Sequence, residues 1–188
     1  MTNILKTKPK QILLDQDGVL ADFTKAALKA MNKIYGKTTT IQQYATEFGK
    51  WGINDFYGIS MLEAWEAIDN TPGFWLDIEP IEWYQKLYDA LSEIGQVTIL
   101  TMPGDDPECS KQKLQWLDLY MGIKSDAVFM GSRKYLMAGN GILIDDYVEN
   151  VNKFRSAGGT AVLIPSTWND PDISFDKVWK AICLCDQL

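Results

Sequence analysis

The chain has 188 residues, 46% of them hydrophobic and 23% charged, with a formal net charge of −7 and a pI near 4.6. That length is enough to bury one core, and the acidic balance argues against gripping polymeric DNA or RNA, which relies on Lys and Arg neutralising phosphates. The complete absence of histidine removes Ser-His and Cys-His nucleophile pairs and imidazole metal sites, so carboxylates must carry any acid–base work.

In chain order, Lys6, Lys8 and Lys10 read as a solvated lead-in to the first strand, Gln11 to Leu14. Residues 24–82 then break any strand rhythm. They carry helical patterns from Thr24 to Tyr35 and from Ser60 to Ile68, the second opened by the capping-box string Ser60-Met61-Leu62-Glu63. Aliphatic and β-branched runs resume at Val97 to Leu100, Ala127 to Met130, Ile142 to Ile144 and Ala161 to Ile164. Helical patterns from Pro107 to Tyr120, Val148 to Ala157 and Ser174 to Cys185 alternate with them.

Such alternation predicts an α/β fold: a Rossmann-like parallel sheet of about five strands with helices on both faces, formed by residues 1–23 and 83–188. Residues 24–82 are expected to form a small helical cap inserted after the first strand. Cys109, Cys183 and Cys185 lack zinc or disulfide spacing and read as filler in a reducing compartment. No leader and no membrane-length apolar run is present, so a cytoplasmic protein is expected, with a homodimer possible.

In open parallel sheets ligands bind beyond the carboxyl ends of the strands, which directs attention to the residues after each run. Asp15-Gln16-Asp17 closes the first. A carboxylate nucleophile needs a second carboxyl to protonate the leaving oxygen and then deprotonate water, and Asp15 and Asp17, two apart on an extended end, point the same way. Gly18 lets the chain turn away. An acidic turn is the ordinary reading of a bare Asp-x-Asp, but Asp15-Gln16-Asp17-Gly18-Val19-Leu20 after a buried strand argues otherwise.

Thr101 follows the second run, where its hydroxyl and the backbone N–H of Met102 would hold a phosphate oxygen. Lys134 follows the third and would neutralise phosphoryl charge, with Arg133 competing for the role. Asp145-Asp146 follows the fourth. At ~4 Å and an effective dielectric of ~20, two carboxylates repel by roughly 4 kcal/mol, a cost that a divalent cation removes. All available ligands are oxygens, which suits Mg²⁺. Taken singly, the last three have bland readings: a strand-end Thr, an exposed Lys, a helix N-cap with a neighbouring acid. Together they share one predicted sheet edge.

Asp15-x-Asp17-Gly18-Val19, Thr101, Lys134 and Asp145-Asp146 resemble the four motifs of the haloacid dehalogenase (HAD) superfamily of phosphatases. The longer string through Leu20-Ala21-Asp22-Phe23, with Ile78-Glu79-Pro80 and Leu143-Ile144-Asp145-Asp146, resembles the 5′(3′)-deoxyribonucleotidases. The resemblance implies that Asp15 attacks phosphate to give an aspartyl-phosphate and that Asp17 serves as acid and then base. It also implies Mg²⁺ held by Asp15, the carbonyl of Asp17 and Asp146, with Asp145 in support.

It further implies that Phe23, Trp51 and Trp65 line a nucleoside pocket, beside Met102, which stands where relatives often carry a small polar residue. Phe48, Phe56, Phe74 and Trp75 read as core filler. The expected substrate is a nucleoside monophosphate. One alternative is a sugar phosphate or other small metabolite handled by the same chemistry. Another is a non-catalytic phospho-receiver domain, in which the acid pair would precede the acceptor Asp rather than follow it.

Overall fold

The computed structural model describes residues 10–185; Lys6 and Lys8 lie outside them. The strands are β1 (Lys10–Leu14), β2 (Gly95–Thr101), β3 (Val128–Met130), β4 (Ile142–Asp145) and β5 (Thr160–Leu163). They form one sheet, parallel throughout, in the order β3-β2-β1-β4-β5. The apolar run Ile12-Leu13-Leu14 is buried on both faces, as a central parallel strand requires. Leu14 aligns with Ile99 of β2 on one side and with Ile144 of β4 on the other. That register brings the carboxyl ends of β1, β2 and β4 to the same edge. The strand order reverses between β1 and β4, where such sheets open a ligand crevice.

Successive β1 side chains divide between the faces. Leu13 packs with Leu100, Leu143, Val151 and Phe154. Ile12 and Leu14 belong to the larger cluster on the other face. That cluster continues without a break into residues 24–82 through Ala27, Met31, Ala64, Ile68, Phe74 and Trp75.

The interval between β1 and β2 holds five helices: α1 (Phe23–Tyr35), α2 (Ile41–Glu47), α3 (Ile53–Tyr57), α4 (Met61–Asp69) and α5 (Tyr84–Ile94). The Ser60 capping box forms as its sequence requires, with Ser60 Oγ accepting the Glu63 N–H at 3.2 Å and Glu63 Oε2 accepting the Ser60 N–H at 2.8 Å. The sequence reading missed α2, α3 and α5. The first two are a turn or two long, and α5 fully buries only Leu87 and Leu91, with Tyr84 and Tyr88 partly buried against the same core. The later helices are α6 (Pro107–Met121), α7 (Val148–Ser156) and α8 (Phe175–Cys183). No helix among the described residues is long and apolar enough to cross a membrane.

Candidate active site

β1 delivers Asp15 to the sheet edge, and the chain turns immediately. Gly18 sits at φ +75°, and a Cβ built there would overlap the Asp146 carboxylate, so position 18 lacks both the conformational and the physical room for a side chain. Asp15, Asp145 and Asp146 are buried, with one oxygen of each within 4.8 Å of the others. Lys134, buried on a 3₁₀ turn after β3, places Nζ 2.7 Å from Asp15 Oδ1 and 2.8 Å from Asp145 Oδ2. Arg133, its competitor in the sequence, is exposed.

The three carboxylates differ in how fully they are bonded. Asp145 accepts the Tyr147 N–H at 2.9 Å and the Asn150 amide at 3.3 and 3.1 Å, besides Lys134. Among the described residues Asp146 Oδ2 accepts only the indole N–H of Trp168, at 2.6 Å. Asp15 Oδ1 takes the Gln16 N–H at 2.8 Å as well as Lys134. Among the described residues no hydrogen bond reaches Asp15 Oδ2 or Asp146 Oδ1.

One ammonium thus faces three buried carboxylates. Burial, aided by repulsion from Asp145 and Asp17 and opposed by Lys134, pushes Asp15 up to about 7. Burial and the neighbouring charges of Asp145 and Asp15 likewise raise Asp146 well above the usual carboxylate range. Burial opposes the charge on Lys134, yet Asp15 and Asp145 together hold its pKa above that of an ordinary lysine. The residual negative charge, the all-oxygen donor set and the open oxygen on Asp146 suit a hard divalent cation.

A cavity of ≈ 370 Å³ rises from this cluster. Asp15, Asp17, Lys134 and Asp146 form one end, and Phe23, Trp51, Trp65, Trp75 and Met102 stand around it. Phe23 stacks on Trp75 at 5.5 Å and 18°, with Trp65 6.0 Å from Phe23. Trp51 reaches from the segment before α3 to Tyr147, 4.8 Å away. Trp75 therefore lines the cavity wall as well as packing in the core where its sequence context read it; Phe23, Trp65 and Phe74 surround its ring. Phe48 and Phe56 pack on Tyr44 instead, at 5.3 and 5.1 Å, as core residues do. A wider groove of ≈ 780 Å³ beside α1 shares no lining residue with this cavity, and its facing charges Lys25 and Glu79 pair with each other at 2.7 Å.

Two side chains with no signal in the sequence complete the site. Lys113 of α6 is 1% exposed and ion-pairs with Asp17 Oδ2. Its Nζ also donates to Met102 O at 2.6 Å and lies 3.3 Å from the hydroxyl of the fully buried Thr101. Trp168, in the loop after β5, touches Asp146 with its indole and packs its rings on Leu28 and Tyr44 of α1 and α2. Its neighbours tie the same loop down: Ser166 Oγ donates to Gly18 O at 2.6 Å and Thr167 Oγ1 to Asp22 Oδ1 at 2.9 Å. Cys109, by contrast, is filler: its buried thiol is pushed up to about 11.

A parallel sheet in this order, with an acid at the end of its central strand and a buried lysine and acid pair around it, defines a HAD-type phosphatase. Solved HAD hydrolases share the fold. A protein of Entamoeba histolytica superposes with a TM-score of 0.55 at 16% identity, covering 91% of this chain and 88% of that one. A Bacillus subtilis hydrolase solved with magnesium gives 0.55 at 14%, covering 95% and 99%. A Rhodobacter sphaeroides protein, CbbY, solved with phosphate, gives 0.54 at 12%, covering 89% and 90%.

The family model for the 5′ nucleotidase, deoxy (Pyrimidine), cytosolic type C proteins matches residues 9–179, and the chain belongs to that family. A Bordetella pertussis protein provisionally named a 5′(3′)-deoxyribonucleotidase is 32% identical over 138 residues, 72% of this chain and 73% of its own length. A Staphylococcus epidermidis protein of the same provisional name is 25% identical over 177 residues, 92% of this chain and 93% of its own.

Proposed function

We propose that the protein is a Mg²⁺-dependent 5′(3′)-deoxyribonucleotidase of the cytosol, with residues 24–82 acting as the specificity cap. The observation that carries the substrate reading is the aromatic wall of Phe23, Trp65 and Trp75 in the same cavity as the carboxylate cluster. Flat rings stacked on a base contribute about 1–3 kcal/mol each, a gain that a sugar phosphate cannot collect. The names of the Bordetella and Staphylococcus relatives and the description of the family support the same substrate.

Asp15 Oδ2, the oxygen without a hydrogen bond, attacks phosphorus in line, and the bond to the ester oxygen breaks. Asp17 gives that oxygen a proton, so a nucleoside leaves and phosphate stays on Asp15. Water then attacks the aspartyl-phosphate, Asp17 takes its proton back, and inorganic phosphate departs. Lys134 holds Asp15 Oδ1 throughout and balances phosphoryl charge. Asp15, Asp146 and the carbonyl of Asp17 would hold Mg²⁺, which masks the charge of the phosphate and of the carboxylates. Asp145, already engaged by three donors through four contacts, orients rather than ligates.

The test is a panel of phosphate esters assayed with Mg²⁺ and with EDTA. Pyrimidine deoxyribonucleoside monophosphates are expected to exceed sugar phosphates in kcat/KM by at least about tenfold, one stacked ring's worth, and to lose turnover in EDTA. Equal turnover of sugar phosphates would overturn the substrate reading.

Trp168 offers a separate check on the metal. Groups that orient metal ligands are worth about 10–100-fold in affinity, so Trp168→Phe, which keeps the packing and removes the N–H, is expected to weaken Mg²⁺ binding by that factor in calorimetry. Unchanged affinity would remove Asp146 from the ligand set.

A further inference from the structure

We infer that Lys113 is the positioning residue for the acid–base step: it clamps Asp17 Oδ2 and thereby assigns proton transfer to Asp17 Oδ1. The inference rests on the reading of Asp17 as acid and base. A carboxylate on an exposed turn can rotate and offer either oxygen. Here Oδ2 is ion-paired to Lys113, while Oδ1 is buried and has no hydrogen-bond partner among the described residues. A buried, unpaired carboxylate oxygen is costly and persists where a ligand completes it. The leaving oxygen of a bound ester, and later the attacking water, are the groups that arrive there.

The rigidity of the clamp follows from the lysine's own bonding. An ammonium has three N–H donors, and Lys113 has three acceptors within reach: Asp17 Oδ2, Met102 O at 2.6 Å and Thr101 Oγ1 at 3.3 Å. No donor is spare, so Nζ has one orientation. Its position comes from α6, whose start is fixed by Asp106 accepting the Glu108 N–H at 3.0 Å and by Cys109 Sγ accepting the Gly104 N–H at 3.1 Å. The same Nζ lies 4.7 Å from the Trp75 ring centre, and Trp75 stacks on Phe23. One lysine therefore joins the acid–base carboxylate, the end of β2 and the aromatic wall.

The test separates proton donation from general damage by changing the leaving group. Thymidine 5′-monophosphate releases an alkoxide that needs a proton, whereas p-nitrophenyl phosphate releases a phenolate that does not. In rapid-mixing experiments with Mg²⁺, Lys113→Met is expected to slow the first turnover of the nucleotide by about 10²-fold, the scale of general acid catalysis. The p-nitrophenolate burst should slow by less than about fivefold, with its steady state slowed as the base step fails. Lys113→Gln, which keeps a donor and most of the length, should fall between parent and Met, and it serves as the test protein if the Met variant does not fold.

Asp17→Asn provides the reference. If it shows no leaving-group split, the acid–base reading of Asp17 fails and the role of Lys113 falls with it. If Asp17→Asn splits and both Lys113 variants slow the two esters equally, or slow neither, the positioning role is overturned while the phosphatase stands.

Discussion

Asp15→Asn is expected to reduce turnover by roughly 10⁴-fold or more, the scale seen when a catalytic nucleophile is removed, while leaving the metal-free protein at least as stable as its parent at pH 8. The two halves of that result have one cause. Asp15 titrates near 7 in the fold against an ordinary 3.8, so folding favours its neutral form. The stabilising contribution is complete below about pH 4 and is lost as pH rises through about 7, at no more than about 1.4 kcal/mol per pH unit for one group.

An amide has nothing to ionise, so the variant should lack that part of the decline. Thermal unfolding in EDTA from pH 5 to 8 measures the slope, and Mg²⁺ should flatten it in the parent by stabilising the ionised form. A variant that retains turnover would remove Asp15 from the chemistry. A parent whose metal-free stability rises across this range would contradict the reading of the site as overcharged.

Lys134→Met is the second large effect. Its ammonium is 2.7 Å from Asp15 and 2.8 Å from Asp145 and is nearly inaccessible to water. Removing one partner of a buried ion pair costs about 3–5 kcal/mol, because the remaining charge has neither water nor a counterion. Urea unfolding without metal should show that loss at pH 8, with partial recovery at pH 5.5, where Asp15 can take a proton instead. Turnover should fall by about 10²–10³-fold, as expected for a fixed charge aimed at a developing oxyanion. Lys134→Arg is not expected to rescue either property, since a planar fork cannot occupy a space shaped for a point charge.

The parts of the protein that were legible in the sequence are those governed by local pattern. The five strands could be read from short apolar runs bounded by turn residues, to within about two residues of their observed ends. The acidic cluster was legible because parallel strands of known order must deliver their terminal residues to one edge. Lys113 was not legible, because a lysine in the second turn of an amphipathic helix reads as solvent-facing unless the sheet beneath it is known. Trp168 was hidden for a related reason: a lone indole in a loop has no period, and only the fold carries it 22 residues back to Asp146. Trp75 was half read: it packs in the core as expected, but burial and cavity lining are compatible for a large ring, and it does both.

The turn at Gly18 has a consequence for anyone who would re-engineer this enzyme. The hydrogen that stands for its side chain faces the Asp146 carboxylate, and its backbone occupies a region that other residues enter at a cost. The loop that follows Asp15 and the acid after β4 therefore meet across a gap of atomic width. A saturation library at this codon should return functional clones carrying glycine alone, so new specificity has to be sought in the aromatic wall rather than at the turn.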